Sequence, residues 1–204
     1  MEDFKLDEIN NLLKKDFFKV EMDKSTSESF FKEIKELFGK KKETKTVLGL
    51  DIYKYSKYED EKQDLIPVIL KKILAKSYEY YAKYEPTSNQ RNSSLKTDFI
   101  DTGDGGYWFF ENPLDALLFS MYVNAFIHLY NSFIIFPTIR KHVGMLTVRF
   151  AITFDEVFKI DNTSYGKAII NNARIMSKDK LNRLLIDNKT YEWFLKEING
   201  VETF

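Results

Sequence analysis

Two aspartates occupy positions from which a carboxylate can do chemistry. Asp51 closes a short apolar run, Thr46-Val-Leu-Gly-Leu-Asp51, and Asp104 sits inside Gly103-Asp104-Gly105-Gly106. An apolar, β-branched run that ends on an acid is how a buried strand delivers a carboxylate to a site at its tip. The glycine cluster, with apolar or aromatic residues on either side, has the strongest hairpin-turn chemistry in the chain. Where a first strand lies beside such a hairpin, the two acids converge although 53 positions separate them. Paired carboxylates are oxygen ligands. Magnesium commonly takes one or two of them and fills its remaining positions with phosphate oxygens, so the pair suits a bound triphosphate better than a closed protein cage. The competing explanation of Asp104 taken alone is plain turn chemistry, since Asp-Gly is what hairpins use.

The elements that must position these acids follow from periodicity. Residues 1–40 read as two helices. In the second, Ser25 and Glu28 have capping-box spacing, and Phe30, Phe31, Ile34, Leu37 and Phe38 recur along one face. Gly39 to Lys45 reads as a charged connector. After the first strand, Leu65, Ile66, Ile69, Ile73 and Leu74 mark a helix that ends near Glu85-Pro86, and residues 86–95 read as loop. Asn112, Pro113 and Asp115 start a long helix whose expected inward face is Leu117, Leu118, Met121, Ala125, Phe126 and Leu129. The run MLTVRFAITFDEVFKI is expected to form a strand pair, followed by a helix over YGKAIINNARIMSK, a short strand LLIDN and a terminal helix. The order β-α-β-β-α-β predicts an α+β fold of the ferredoxin-like, split βαβ kind, with helices preceding it.

Composition narrows the function classes. The chain has 204 residues, enough for one principal domain, with 31 basic and 31 acidic residues, so no general attraction to nucleic acid is expected. Cysteine is absent, which excludes disulfides, thiolate zinc sites and thiol catalysis. His128 and His142 match no zinc spacing and read as structural or incidental. The longest apolar stretch, Leu114 to Pro137, is interrupted by Asp115, Asn124, His128 and Asn131, so no membrane span is expected and the cytoplasm is the default location.

Four motifs in sequence resemble the class III adenylate and guanylate cyclases. They are Leu50-Asp51-Ile52 with Tyr55-Ser56, Thr102-Gly103-Asp104, Val148-Arg149-Phe150-Ala151-Ile152, and Tyr165-Gly166 through Asn172-Ala173-Arg174. The agreement spans residues 46–187 and implies a catalytic domain over 46–204 behind an N-terminal helical extension, 1–45. By that resemblance Asp51, Asp104 and the backbone carbonyl of Ile52 would bind two divalent cations, Mn²⁺ or Mg²⁺. Arg174 would reach in from a partner subunit to the α-phosphate, which implies a homodimer with active sites at its interface.

The departures from the family pattern concern the base and the phosphate tail. Ile170 stands where the family has an asparagine, and Asn171 lies one residue on, about 100° round the helix. Ile100 and Thr163 occupy the two positions that read the purine. Tyr53, Tyr55 and Tyr58 crowd the exit of the first strand, Tyr55 being the first choice for an aromatic beside a pyrimidine. In these respects the chain resembles the uridylate and cytidylate cyclases of bacterial antiphage signalling, with UTP favoured over CTP. ATP or GTP as substrate, and a degenerate domain that binds without turnover, are the alternatives. No counterpart of the family's terminal lysine is found, and Glu156 replaces a family arginine, leaving Lys54, Lys57 or Arg149 for the triphosphate.

Overall fold

The computed structural model describes residues 3–4, 24–91, 99–180 and 183–201. In chain order its elements are β1 (Asp3–Phe4), α1 (Lys24–Lys41), β2 (Glu43–Ile52), α2 (Asp60–Tyr84), α3 (Pro86–Arg91), β3 (Ile100–Asp101), β4 (Gly105–Phe110), α4 (Pro113–Asn131), α5 (Pro137–Val143), β5 (Val148–Ile160), β6 (Thr163–Gly166), α6 (Lys167–Lys178), β7 (Leu184–Ile186) and α7 (Asn188–Val201). They form two compact units. The smaller comprises residues 1–44 with 155–167, the larger residues 45–154 with 168–204.

In the larger unit β2 pairs antiparallel with β4, β4 with β3, and the first half of β5 runs parallel to β7. The strands are ordered β5-β2-β4-β3, so the β-α-β-β-α-β run has its fourth, first, third and second strands side by side. This is the split βαβ arrangement expected from the element order. One face of the sheet is covered by α2 and α4. Leu48, Leu50, Ile52, Trp108, Phe110, Phe150 and Ile152 pack there against Ile66, Ile69, Ile73, Phe119, Val123 and Ile127. Phe119 is the hub, with ring centroids 5.5–5.8 Å from Tyr81, Trp108 and Phe110. Edge and tilted ring geometries at such spacings add to the burial of area.

The N-terminus of α4 is held by more than its cap. Asn112 accepts the N–H of Asp115, and the fully buried Asp115 carboxylate accepts from Ser88 and Arg91. A buried charge needs such partners. Ser88 and Arg91 belong to α3, so part of the segment expected as loop, 86–95, is helical; 92–98 lie outside the described residues.

Other expectations need correction. The buried face of α4 is Ala116, Phe119, Ser120, Val123, Phe126, Ile127 and Tyr130, whereas Met121 is 59% exposed and Ala125 is exposed. The helix is apolar nearly all round, so periodicity alone does not single out its inward face. The run MLTVRFAITFDEVFKI yields one 13-residue strand, β5, and not a pair. It contains no Gly, Pro or Asn; the turn comes at Asp161-Asn162, both with positive φ (46° and 63°), and the partner is β6. Tyr165 and Gly166 therefore end β6 and do not open α6. Gly39 lies inside α1, and strand begins at Glu43, so most of the expected connector has regular structure.

In the smaller unit β1 runs parallel to the end of β5, so residues 3–4 are strand and not helix; the rest of the first expected helix lies outside the described residues. Along the expected apolar face of α1, Phe30 is buried and Phe38 meets Phe158 edge-on at 5.3 Å, but Phe31 is 61% exposed.

Candidate functional site

The register of β2 on β4 decides the site. Asp51 pairs with Gly105, Gly49 with Tyr107, and the N–H of Ile52 donates to the carbonyl of Asp104 at 3.0 Å. The last residues of β2 are thereby held against the hairpin tip, and the two aspartates meet. Asp104 carries the signature of that meeting: burial, then the charge of Asp51, push its carboxyl above the usual aspartate range, with Arg149 acting in the opposite direction. The hairpin is fastened locally. Asp101 Oδ1 accepts the N–H of Gly103 at 2.8 Å, Asp101 Oδ2 pairs with Lys71 at 3.1 Å, and Gly103 adopts φ +92°, a conformation few other residues tolerate.

Arg149 is the partner of Asp51. Its Nε donates to Asp51 Oδ2 at 2.7 Å, its NH2 pairs with the same oxygen, and its NH1 donates to the carbonyls of Met176 and Asp179, each at 3.1 Å. The guanidinium also lies 5.4 Å from the ring centroid of Tyr53. From sequence, Arg149 is part of the Val148–Ile152 motif and one of three candidates for the phosphate tail, not a partner of Asp51. The missed signal was a cation at an inward register of an apolar strand, which requires an anion within reach.

The helix α6 lies on the sheet face opposite the aromatic core. Asn172, fully buried, donates to the carbonyls of Val47 and Ala151, at 2.9 and 2.8 Å. Gly49 permits this approach, since a Cβ there would stand 2.0 Å from Asn172 Oδ1 and 2.8 Å from Met176 Cε. With Asn172 turned inward, Arg174 and Ile170 turn outward: Arg174 is exposed, Ile170 is 51% exposed, and Asn171 is half-buried between the two directions. No ion pair among the described residues engages the Arg174 guanidinium.

The remaining expected site residues divide. Tyr53 stays at the site, its ring centroid 5.4 Å from the Arg149 guanidinium and 4.9 Å from the Lys54 ammonium. Tyr55 packs on the core and donates its hydroxyl to the Gln63 carbonyl at 2.8 Å, although Asp104 is close enough to help raise its pKa behind burial. Tyr58 donates to the Met145 carbonyl. Ile100 sits on β3 opposite Tyr107, and Ile52 has its side chain in the core. Thr163 belongs to the smaller unit, exposed and paired with Ile160. Glu156, in that unit too, pairs with Lys42 and Lys167 at 3.4 and 3.3 Å. Tyr107 escaped notice: two residues along β4 from Gly105, it shares the face of Asp51, and burial followed by the charges of Asp51 and Asp104 raises its pKa.

Among the described residues no group of three acids or histidines gathers. The donor set is two carboxylates with backbone oxygen nearby, of which Asp51 is paired with Arg149. Those donors fit a hard divalent cation that keeps positions for phosphate oxygens.

No family model matches the sequence, and none of the curated proteins matches it. Solved structures do. The guanylyl cyclase Cya2 superposes with a TM-score of 0.54 at 14% identity, over 74% of this chain and 78% of that one. The monomeric guanylyl cyclase domain of the RhoGC fusion protein from the aquatic fungus Blastocladiella emersonii gives 0.52 at 16% identity, over 76% and 88%. A bacterial light-regulated adenylyl cyclase gives 0.50 at 13%, over 70% and 74%. The fold is that of a nucleotidyl cyclase catalytic domain. Within this cyclase fold, Asp51 and Asp104 lie at the strand end and hairpin tip, and Arg174 lies on the outward face of α6. No helix among the described residues is long and apolar enough to cross a membrane.

Proposed function

We propose that the chain is a nucleotidyl cyclase that closes a nucleoside triphosphate into its 3′,5′-cyclic nucleotide with release of pyrophosphate. The observation that carries this reading is the convergence of Asp51 and Asp104 on the cyclase fold. Asp51, Asp104 and the Ile52 carbonyl would hold two divalent cations, Mn²⁺ or Mg²⁺, which would supply charge neutralisation at the phosphates and acidify the ribose 3′-hydroxyl. Asp51 and Asp104 orient the phosphate tail through that site. Arg174 of a second copy donates to the oxygens of the α-phosphate as negative charge grows there. Its exposure supports a role outside its own subunit, and a homodimer with active sites at the interface follows. Asn171, half-buried one step from Ile170, is the asparagine of α6 left to stand in for the missing one.

The substrate we propose is a pyrimidine triphosphate, UTP before CTP, and the product a second messenger in antiphage defence. Support comes from side chains: Ile100 offers no hydrogen bond to a purine edge, and Tyr107 puts aromatic bulk beside the acids. A purine site that relied on polar readout would lose it here. A second reading, nucleotide binding without turnover, is favoured by Ile170 at the place of an asparagine.

Incubation of the purified protein with Mn²⁺ or Mg²⁺ and each of the four triphosphates, with products identified by mass, decides among these. Cyclic UMP that disappears in Asp104→Ala is the expected result. Cyclic AMP or GMP would overturn the pyrimidine assignment, and nucleotide binding with no cyclic product would establish the second reading.

A further inference from the structure

Arg149 joins three parts of the larger unit through one guanidinium. It grips the metal-site carboxylate of Asp51 on β2, it belongs to β5, and it caps the carbonyls of Met176 and Asp179 at the end of α6. Both side chains of the Arg149–Asp51 pair are mostly buried, each with 18% exposure, so the charges interact through a medium that screens them less than water does. Both nitrogens that reach Asp51 use Oδ2. The guanidinium thus neutralises the same carboxylate that a divalent cation would need.

We propose that Arg149 is a positioning residue that trades its hold on Asp51 against the divalent cation and thereby ties metal occupancy to α6, the helix that presents Arg174. The inference rests on the metal-site reading above. Asp51 and Asp104 would hold the cation within reach of the guanidinium, which its charge would repel while it drew negative charge from Asp51. The guanidinium then leans on its other acceptors, the two carbonyls at the C-terminal end of α6, where the helix dipole favours a positive charge. Metal binding therefore firms the last turn of α6. By reciprocity, whatever firms that turn also favours the metal. Asn172 anchors the middle of the same helix to Val47 and Ala151, so the change is confined to the end that Arg149 holds.

Mn²⁺ titration followed by electron paramagnetic resonance reads the trade without any turnover. Arg149→Gln, which keeps amide donors for the carbonyls and removes the charge, is expected to bind Mn²⁺ about tenfold tighter than the unmodified chain. Arg149→Lys, which keeps the charge, should bind within about twofold of it. Hydrogen exchange over residues 172–178 should slow on adding Mn²⁺ to the unmodified chain and stay unchanged in Arg149→Gln. If Arg149→Gln does not fold, Arg149→Met is carried through the same titration with the same expectation. Equal or weaker Mn²⁺ binding by the folded neutral variant overturns the trade. Mn²⁺ binding by the unmodified chain without cyclic product overturns the cyclase activity and leaves the trade standing, so the two failures are distinguishable.

Discussion

The two faces of β2 and β4 are built for different purposes by the same few residues. On one face Leu48, Leu50, Ile52, Trp108 and Phe110 sink into an aromatic core under α2 and α4. On the other, Val47, Gly49, Asp51, Gly105 and Tyr107 lie where α6 and Arg149 approach. The first face tolerates exchange of one apolar shape for another at a moderate cost. The second is set by single atoms: the missing Cβ of Gly49, the amide of Asn172, the oxygen of Asp51 that Arg149 occupies. Stability and proposed chemistry thus divide along the period of two that separates odd from even residues in a strand.

Substitutions that test this division should separate cleanly. The largest effect expected is on chemistry. Asp104→Ala should lower cyclic-nucleotide formation about a thousandfold or more, since the metal site supplies several kcal/mol of charge stabilisation, while the unfolding midpoint without metal is kept or raised. A large fall in metal-free stability would mean that the polar face also holds the fold together. Phe119→Ala acts on the other face. It should cost about 3–5 kcal/mol in denaturant unfolding, and whatever fraction stays folded should still be stabilised by Mn²⁺. Loss of the Mn²⁺ response in folded Phe119→Ala would join the two faces.

Gly49→Ala should cost about 1–3 kcal/mol, because its new methyl group meets Asn172 and Met176 and must push α6 away. Its product formation should fall more than its stability predicts, in contrast to Leu50→Val next to it on the core face. The smallest effect is a pH dependence. The pKa of Asp104 is raised in the folded chain, so the folded state binds its proton more tightly than the unfolded state does. The resulting stability is present below the ordinary aspartate range and is lost as pH rises through the raised value. The metal-free stability of the unmodified chain should therefore decline relative to Asp104→Asn over that interval. Saturating Mn²⁺ should remove the decline. A constant difference between the two proteins across the interval would show that Asp104 is not perturbed.

The sequence made the strand order and the acid pair legible because they rest on local chemistry. Gly103-Asp104-Gly105-Gly106 turns whatever surrounds it, and an apolar run ending at Asp51 has few other uses. It misjudged elements where local chemistry is silent. The α4 helix is apolar on nearly every side, so the expected inward face took in Met121 and Ala125 and passed over Phe119. In β5 the strand runs on through Asp155 and Glu156, and the turn waits for Asp161-Asn162. The tyrosines after Asp51 could be seen to be crowded, but which of them faces the acids depends on the turn at Lys54, whose positive φ (60°) precedes the short helical turn of Tyr55–Lys57. Tyr107 became visible only through its register against Gly49.

By itself the amino-acid sequence determined the alternation of strands and helices, the hairpin at Asp104, the absence of any thiol chemistry and the presence of two acids that a split βαβ sheet could bring together. Those properties depend on neighbours in the chain, which the sequence states outright. Only the tertiary structure decided that Arg149 stands against Asp51, that Asn172 turns inward so that Arg174 turns out, and that Tyr107 shares the face of the acids. Each of these depends on packing between segments about 50 to 125 positions apart, where a shift of one residue in register would send every side chain to the opposite face.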